Sequence, residues 1–151
     1  MKVIVYAISK NESAFVDRWM DSMSEADGVY VLDTGSDDDT VEKLRARGAH
    51  TEVGTVSPWR FDEARNRSLI LVPGDADICV CTDLDEKFRP GWRAALERAW
   101  LPGTDRATYE YAWSMTDGKP GTVFLYDKIH TRRGYKWTHP VHEELERTDG
   151  R

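Results

Sequence analysis

The segment Val3 to Ile8, VIVYAI, is an unbroken β-favouring apolar run at the start of the chain, the pattern of a strand buried on both faces of a parallel sheet. Such a strand is central, and both of its sides must be covered by later elements of the chain. Ser9-Lys10-Asn11-Glu12 combines capping residues with a Ser-x-x-Glu spacing. Phe15, Trp19 and Met23 then recur at helical intervals, so the pattern predicts a helix starting near Asn11. The alternation repeats. Gly28 to Leu32 reads as a second strand, the Asp33 to Asp39 loop is rich in turn formers, and Thr40 to Arg47 makes a short helix that Gly48 ends. Ala49 to Val53 is a weaker third strand, Pro58 breaks the chain, and Phe61 to Leu71 is a helix closed by Pro73-Gly74. Asp77 to Thr82 is a fourth strand, and Pro90 opens a helix with Trp92, Ala95, Leu96 and Ala99 on one apolar face. Repeated β-then-α units imply a doubly wound α/β domain with right-handed crossovers.

The last third reads differently. Ala107 to Met115 and Thr122 to His130 are β-rich and joined by the turn cluster Asp117-Gly118-Lys119-Pro120-Gly121, which predicts a hairpin or antiparallel excursion and therefore a mixed sheet. No internal repeat, low-complexity tract or interdomain linker interrupts the chain. We therefore expect residues 1–151 to form a single domain, with room for a missing C-terminal segment after the polar end at Thr148 to Arg151.

With 21 Lys+Arg against 27 Asp+Glu the net charge is −6, the opposite of the basic footprint of a nucleic-acid binder. Bound anions therefore need a local site. Cys79 and Cys81 would project from the same face of a strand, too close in sequence for an ordinary structural disulfide, and read as reduced core residues. The first apolar run falls short of the roughly 7–15 residues of a signal-peptide core, and no stretch approaches the roughly 18 of a membrane span. A cytoplasmic, unprocessed chain with no transmembrane segment is expected.

In an open α/β sheet, ligands bind outside the carboxyl ends of the strands, so the residues just after each strand come first. Here they are polar: Ser9 to Glu12 after strand one, Asp33 after strand two, and Asp83, Asp85 and Glu86 after strand four. An extended Asp83-Leu84-Asp85 would put both carboxylates on one side and Leu84 on the other. Mg²⁺ and Mn²⁺ prefer oxygen ligands and share them with substrate phosphates. The same tripeptide also suits a solvated turn that caps the strand. Near the end, Trp137-Thr138-His139-Pro140-Val141-His142-Glu143 carries a His that could add a nitrogen ligand or be structural. A zinc site lacks compact ligand spacing. Phe61 to Arg67 opens the third helix with acidic residues that suit its dipole. Within it, Arg65 can brace a carboxylate or phosphate, or simply be a solvated charge.

Taken in order, these pieces resemble the family 2 glycosyltransferases of the GT-A fold, particularly the small bacterial and viral type. The matching stretches are the first strand into Ser9-Lys10-Asn11-Glu12; Val31-Leu32-Asp33-Thr34-Gly35-Ser36 with Asp38 and Thr40; Trp59, Phe61 and Ala64-Arg65-Asn66; Asp83-Leu84-Asp85; and Trp137, Pro140, Val141, His142 and Glu143. The resemblance implies a Rossmann-like, mixed but mainly parallel sheet flanked by helices. It implies that Ala7, Ser9, Asn11 and Asp33 hold the nucleoside, that Arg65 braces the nucleotide, and that Asp83 lies near the ribose and the metal. Asp85 would be the direct ligand of Mn²⁺ or Mg²⁺, with His142 completing the coordination. The implied reaction moves a sugar, with inversion, from a nucleotide-diphosphate donor, expected to be UDP-linked, to a hydroxyl of a glycan or glycolipid acceptor.

No Glu-Asp pair occupies the usual place between the Asp-x-Asp and the late His; Glu143 is taken as the candidate catalytic base, with Asp117 and Glu110 behind it and a missing C-terminal segment as the alternative source. The basic stretch Arg132, Arg133 and Lys136 reads as a flap over the diphosphate or as a solvated loop. Two rivals stay open: a sugar-phosphate nucleotidyltransferase, which would carry a Gly-rich basic loop where Ser9 to Glu12 has no glycine, and a non-catalytic nucleotide-binding module.

Overall fold

In a computed structural model that describes residues 1–149, the opening apolar run is β1 (Val3–Ser9), and it has partners on both edges. The chain continues through α1 (Ser13–Met23), β2 (Gly28–Asp33), α2 (Thr40–Ala46), β3 (His50–Val53), α3 (Phe61–Leu71), β4 (Ile78–Cys81) and α4 (Trp92–Ala99). It ends with β5 (Arg106–Ala112), β6 (Met115–Thr116), β7 (Lys119–Pro120), β8 (Val123–Thr131), β9 (Tyr135–Thr138) and β10 (Glu144–Arg147). The main sheet has the order β3-β2-β1-β4-β8-β5. Its first four strands are parallel, β8 runs antiparallel to β4, and β5 runs antiparallel to β8. The fold is thus a mixed, mainly parallel sheet flanked by helices, as expected. Gly150 and Arg151, the last part of the polar end, lie outside the described residues.

Both faces of β1 are covered, as the apolar run requires. Val3, Val5 and Ala7 pack on one side with Val16, Trp19, Met20 and Met23 of α1, Leu44 of α2 and Leu96 of α4. Ile4 and Tyr6 pack on the other with Leu69 of α3 and with Tyr135, Trp137 and Leu145. The second face is therefore shared between one helix and the small β9–β10 ribbon, an element the sequence pattern had not distinguished. Ile78 and Val80 of β4 belong to the first core and Cys79 and Cys81 to the second. Both cysteines are free and buried, and burial pushes the Cys79 thiol up to about 12, far from a reactive thiolate.

The ribbon is fastened by a buried chain of hydrogen bonds. Trp137 Nε1 donates to Tyr6 Oη at 2.9 Å, and Tyr6 Oη lies 2.7 Å from His130 Nε2. His130 Nδ1 is 2.7 Å from the Thr131 carbonyl, which can only accept; the proton therefore sits on Nδ1, and Nε2 accepts from Tyr6. Burial lowers the imidazole to about 4, so it stays neutral and the chain is satisfied at every link.

Several local expectations change. Ser9 does not cap α1: its side chain is buried in β1, Asn11 adopts a left-handed backbone (φ 53), and Glu12 takes the capping position without a side-chain hydrogen bond. Phe15 is exposed, because the inward stripe of α1 runs through Val16, Trp19, Met20 and Met23. Pro90 lies before α4, which begins after the left-handed Gly91, and of its expected apolar face Ala95 and Ala99 point to solvent. The basic stretch cannot close over the carboxyl ends of the parallel strands. Thr131 pairs with Ile78 at the opposite edge of β4, and Arg132 Nε donates to the Val72 carbonyl beyond the end of α3.

Trp19 is fully buried and donates its indole N–H to Thr82 Oγ1 at 3.0 Å, tying α1 to the end of β4. Replacing it by alanine leaves a cavity and an unpaired hydroxyl. Trp19→Ala should lower unfolding free energy by about 3–5 kcal/mol, read from the shift of the urea midpoint at constant m; a loss under ~1 kcal/mol would contradict this packing.

Candidate functional site

The parallel strands end on one side of the sheet, and there the loops after β1, β2 and β4 meet the start of α3 and the β9–β10 turn. The resulting open cleft of about 320 Å³ is lined by Ile8, Ser9, Lys10, Glu12, Thr34, Trp59, Phe61, Arg65, Asp83, Asp85 and Glu143. That volume lies at the low end of the roughly 300–1,000 Å³ of ligand pockets.

The loop after β2 is shaped by a single buried carboxylate. Asp33 Oδ1 accepts from the backbone N–H groups of Gly35 at 3.0 Å and Ser36 at 2.7 Å, while Oδ2 accepts from Ser9 Oγ at 2.8 Å and Ser36 Oγ at 2.6 Å. These four bonds use the acceptor sites a carboxylate offers. The turn needs Gly35, whose φ of +118 is disfavoured for any side chain that carries a Cβ. Asn11 fastens the same loop from the other strand end: its Oδ1 accepts from Asp37 N at 2.7 Å, and its own N–H donates to Ser36 Oγ at 2.8 Å.

Arg65 is the hub of the opposite wall. Its side chain is 4% exposed, Nη2 pairs with Asp83 Oδ1, and Nε donates to Glu143 Oε1 at 3.3 Å. The guanidinium also lies over the Trp137 ring, 5.8 Å from its centroid. Its neighbour Asn66 clamps the Trp137 backbone in both directions, at 2.9 Å and 2.7 Å, and Phe61 N donates to the Pro140 carbonyl at 3.0 Å. Thus α3 fixes the segment that carries Glu143. Lys128 approaches Asp83 from the antiparallel side at 3.4 Å and Glu86 at 3.7 Å. Burial would raise the Asp83 carboxyl, but Arg65 and Lys128 outweigh it and hold it at about 2. Glu86 is itself buried; it accepts from Asp83 N at 2.7 Å and closes the Asp83–Glu86 turn.

Lys128 reaches this cluster because the strand slips. Between the pairs Ala107↔Ile129 and Tyr109↔Tyr126, β8 spends one more residue than β5, a β-bulge that re-aims the side chains at Asp127 and Lys128.

The remaining carboxylates are less engaged. Asp85 is exposed in the cleft, and its side chain makes no hydrogen bond or ion pair among the described residues. Glu12 Oε2 is buried without a hydrogen-bond partner. Burial first, then the charges of Asp85 and Asp83, raise Glu12 to about 7. Two oxygen donors that lack partners, facing one cleft, fit a hard divalent cation better than any soft metal. Asp83 fits less directly, since both its oxygens are already engaged.

The expected residues are therefore distributed unevenly. Ser9, Arg65, Asp83, Asp85 and Glu143 line the cleft together. Asp33 and Asn11 stand behind it and shape its loop, and the Ala7 side chain is in the core. His142 is exposed on a left-handed backbone (φ 56) beside Glu143, outside the cleft lining. Among the described residues, the only three metal-ligating side chains drawn within mutual reach are His139, Glu144 and Glu146, all exposed. Sequence reasoning missed Lys128 and gave no individual role to Glu12, Glu86 and Asn66. Glu12 and Glu86 lay in segments already marked as polar strand ends; Lys128, inside an apolar strand, gave no signal.

No protein-family model matches the chain. Among solved structures it is similar to glucosyl-3-phosphoglycerate synthase from Mycobacterium tuberculosis. The match to the complex with Mn²⁺, UDP-glucose and phosphoglyceric acid has 32% identity over 56% of this chain and 33% of that chain, with a TM-score of 0.48. The complex with UDP matches at 32% identity over 56% of this chain and 34% of that chain, with a TM-score of 0.49. The chain spans about a third of the length of these structures. No helix among its described residues is long and apolar enough to cross a membrane.

The raised Glu12 carboxyl has a consequence for stability. The folded protein holds this proton more tightly than the unfolded chain does, so stability falls as pH rises from about 4.5 to about 7 and stays lower above that. Glu12→Gln should therefore raise Tm at pH 8 and leave it nearly unchanged at pH 4, read by differential scanning fluorimetry across the range. A shift of equal size at both pH values would mean that the carboxyl is not perturbed.

Proposed function

We propose that this chain carries the donor site of a metal-dependent glycosyltransferase of the GT-A fold that takes a nucleotide-diphosphate sugar, with UDP as the nucleotide carrier. One observation supports the reading above the others: the cleft at the strand ends is lined by four carboxylates, Glu12, Asp83, Asp85 and Glu143, against two cations, Lys10 and Arg65. A diphosphate would be repelled from such a cleft on its own and attracted once a divalent cation was held at Asp85.

In this reading the nucleoside lies over the Ser9 and Thr34 edge, where Asp33 and Asn11 hold the loop in shape. Asp85 and, after a shift of its exposed loop, His142 hold Mn²⁺ or Mg²⁺. Bound there, the cation would stabilise the charge that develops on the departing nucleoside diphosphate. Arg65 sets the position of Asp83, which faces the nucleotide. The acceptor is a hydroxyl of a glycan or glycolipid, and displacement in a single step inverts the anomeric carbon. The buried, unpaired cysteines suit a reducing, cytoplasmic setting.

The base that takes the acceptor proton is Glu143 in the primary reading. A second reading is favoured by its engagement with Arg65, which occupies one of its oxygens, whereas Glu12 has an unpartnered oxygen and is raised to about 7. Loss of turnover with UDP binding retained in Glu143→Gln, but not in Glu12→Gln, assigns the role to Glu143; the reverse pattern assigns it to Glu12.

The donor site is tested by calorimetric titration of UDP with and without Mn²⁺. Mn²⁺ should tighten UDP binding at least about tenfold, about 1.4 kcal/mol, and Asp85→Ala should abolish that gain. Equal affinity in both conditions would sink the metal-diphosphate site.

A further inference from the structure

Beyond Cys81, the last residue of β4, strands β8 and β5 continue past the sheet as a two-stranded arm on the cleft side. The arm carries a ladder of rings. Tyr109 meets Tyr126 edge-on at 5.9 Å, and Tyr126 stacks on Tyr111 at 4.5 Å with an interplanar angle of 10°. Tyr111 meets Trp113, and Trp113 meets Phe124, each at 6.4 Å. The pairs Tyr109↔Tyr126 and Tyr111↔Phe124 put these rings on one face, because residues opposite each other in an antiparallel pair share a face. The other face carries Glu110, Leu125, Ala112 and Val123, aliphatic and acidic rather than aromatic.

The ladder begins inside the charge cluster of the cleft. Tyr109 Oη donates to Glu86 Oε1 at 3.2 Å, and Lys128, which pairs with Asp83, lies over the Tyr126 ring at 4.4 Å. At its outer end Trp113 is 67% exposed and Phe124 49% exposed. Large uncovered rings in a row that leads into a cleft are a ligand surface, since isolated apolar side chains scatter but do not align. Flat aromatic faces suit the flat C–H face of a pyranose ring and leave its hydroxyls free for water or for reaction. Tyr109, Tyr111, Trp113, Phe124 and Tyr126 bring no charge of their own to this face, so it suits a neutral ligand rather than an ionic one.

We propose that the aromatic face of this arm is the acceptor subsite, holding a neutral saccharide on Trp113 and Phe124 and leading it along Tyr111 towards the Asp83–Asp85 turn. The location rests on the donor-site reading; the capacity to bind a neutral saccharide does not.

The test uses the 151-residue protein on a printed array of neutral glycans, followed by calorimetric titration of the best oligosaccharide. Wild type should bind at least one neutral glycan. Trp113→Ala and Phe124→Ala should each weaken that titration by about tenfold, while Leu125→Ala, on the opposite face of the same arm, should leave it unchanged. Trp113 is mostly exposed, so its truncation keeps the core, and circular dichroism checks that each variant is folded. No neutral glycan bound, or binding untouched by Trp113→Ala, overturns the proposal. So does a wild-type dimer in sedimentation velocity, or binding to phosphatidylglycerol vesicles, that Trp113→Ala abolishes when no glycan binds. Wild-type titration with UDP reports separately on the donor site: glycan binding without UDP binding keeps this inference and discards the donor reading, and the converse discards only the acceptor subsite.

Discussion

A guanidinium cannot be left bare inside a protein, and the site is organised around that constraint. Arg65 is almost fully buried and cannot shed its proton, so the fold must bring carboxylates to it. It draws Asp83 from the end of β4 and Glu143 from the β9–β10 turn, two segments 60 residues apart in sequence and placed by different elements. Removing either partner would leave a buried charge short of compensation. The geometry of the cleft wall is therefore a by-product of charge neutralisation, with Asn66 and Phe61 holding the backbone that makes it possible.

The second wall is governed by hydrogen bonding rather than by charge pairing. Asp33 saturates its own acceptors with Ser9, Gly35 and Ser36, so it shapes the loop beside the cleft instead of pointing into it. The two walls thus differ in what they leave unsatisfied. On the Asp33 side nothing is spare. On the other, Asp85 lacks a partner altogether, and across the cleft one buried oxygen of Glu12 does too. A buried oxygen without a partner is costly, as at Glu12, and an exposed carboxylate without one, as at Asp85, stays free to take a ligand, whereas both oxygens of Asp83 are already engaged.

How much of this could be read from sequence depends on the range of the signal. The apolar runs of β1 and β4 were legible because burial on both faces leaves a continuous apolar trace, and the helix Phe61–Leu71 was legible from the breakers Pro58 and Pro73-Gly74 that bound it, its buried face being largely polar. The antiparallel excursion was legible from its turn cluster. The capping role of Ser9 misread because a Ser-x-x-Glu spacing is indifferent to whether Ser still belongs to the strand, and here its hydroxyl has a better partner in Asp33. Of the site, the acidic strand ends were visible, while Lys128 was not. Its position stems from a one-residue slip between β5 and β8, and such a slip depends on how two strands pair rather than on either strand's composition.

That slip also joins two halves of the sheet that do different work. The parallel strands end together and expose their loops at one rim, so they can build a cleft but cannot extend beyond it. The antiparallel pair is free of that limit, since a hairpin can outrun its neighbours as long as its two strands satisfy each other's backbone groups, and β5 and β8 do so out to Ala112 and Val123. Lys128 stands where the two meet, neutralised by Asp83 and Glu86 on the parallel side and resting on Tyr126 at the base of the arm. The bulge therefore sets one side chain against both the acidic cluster of the cleft and the base of the aromatic ladder.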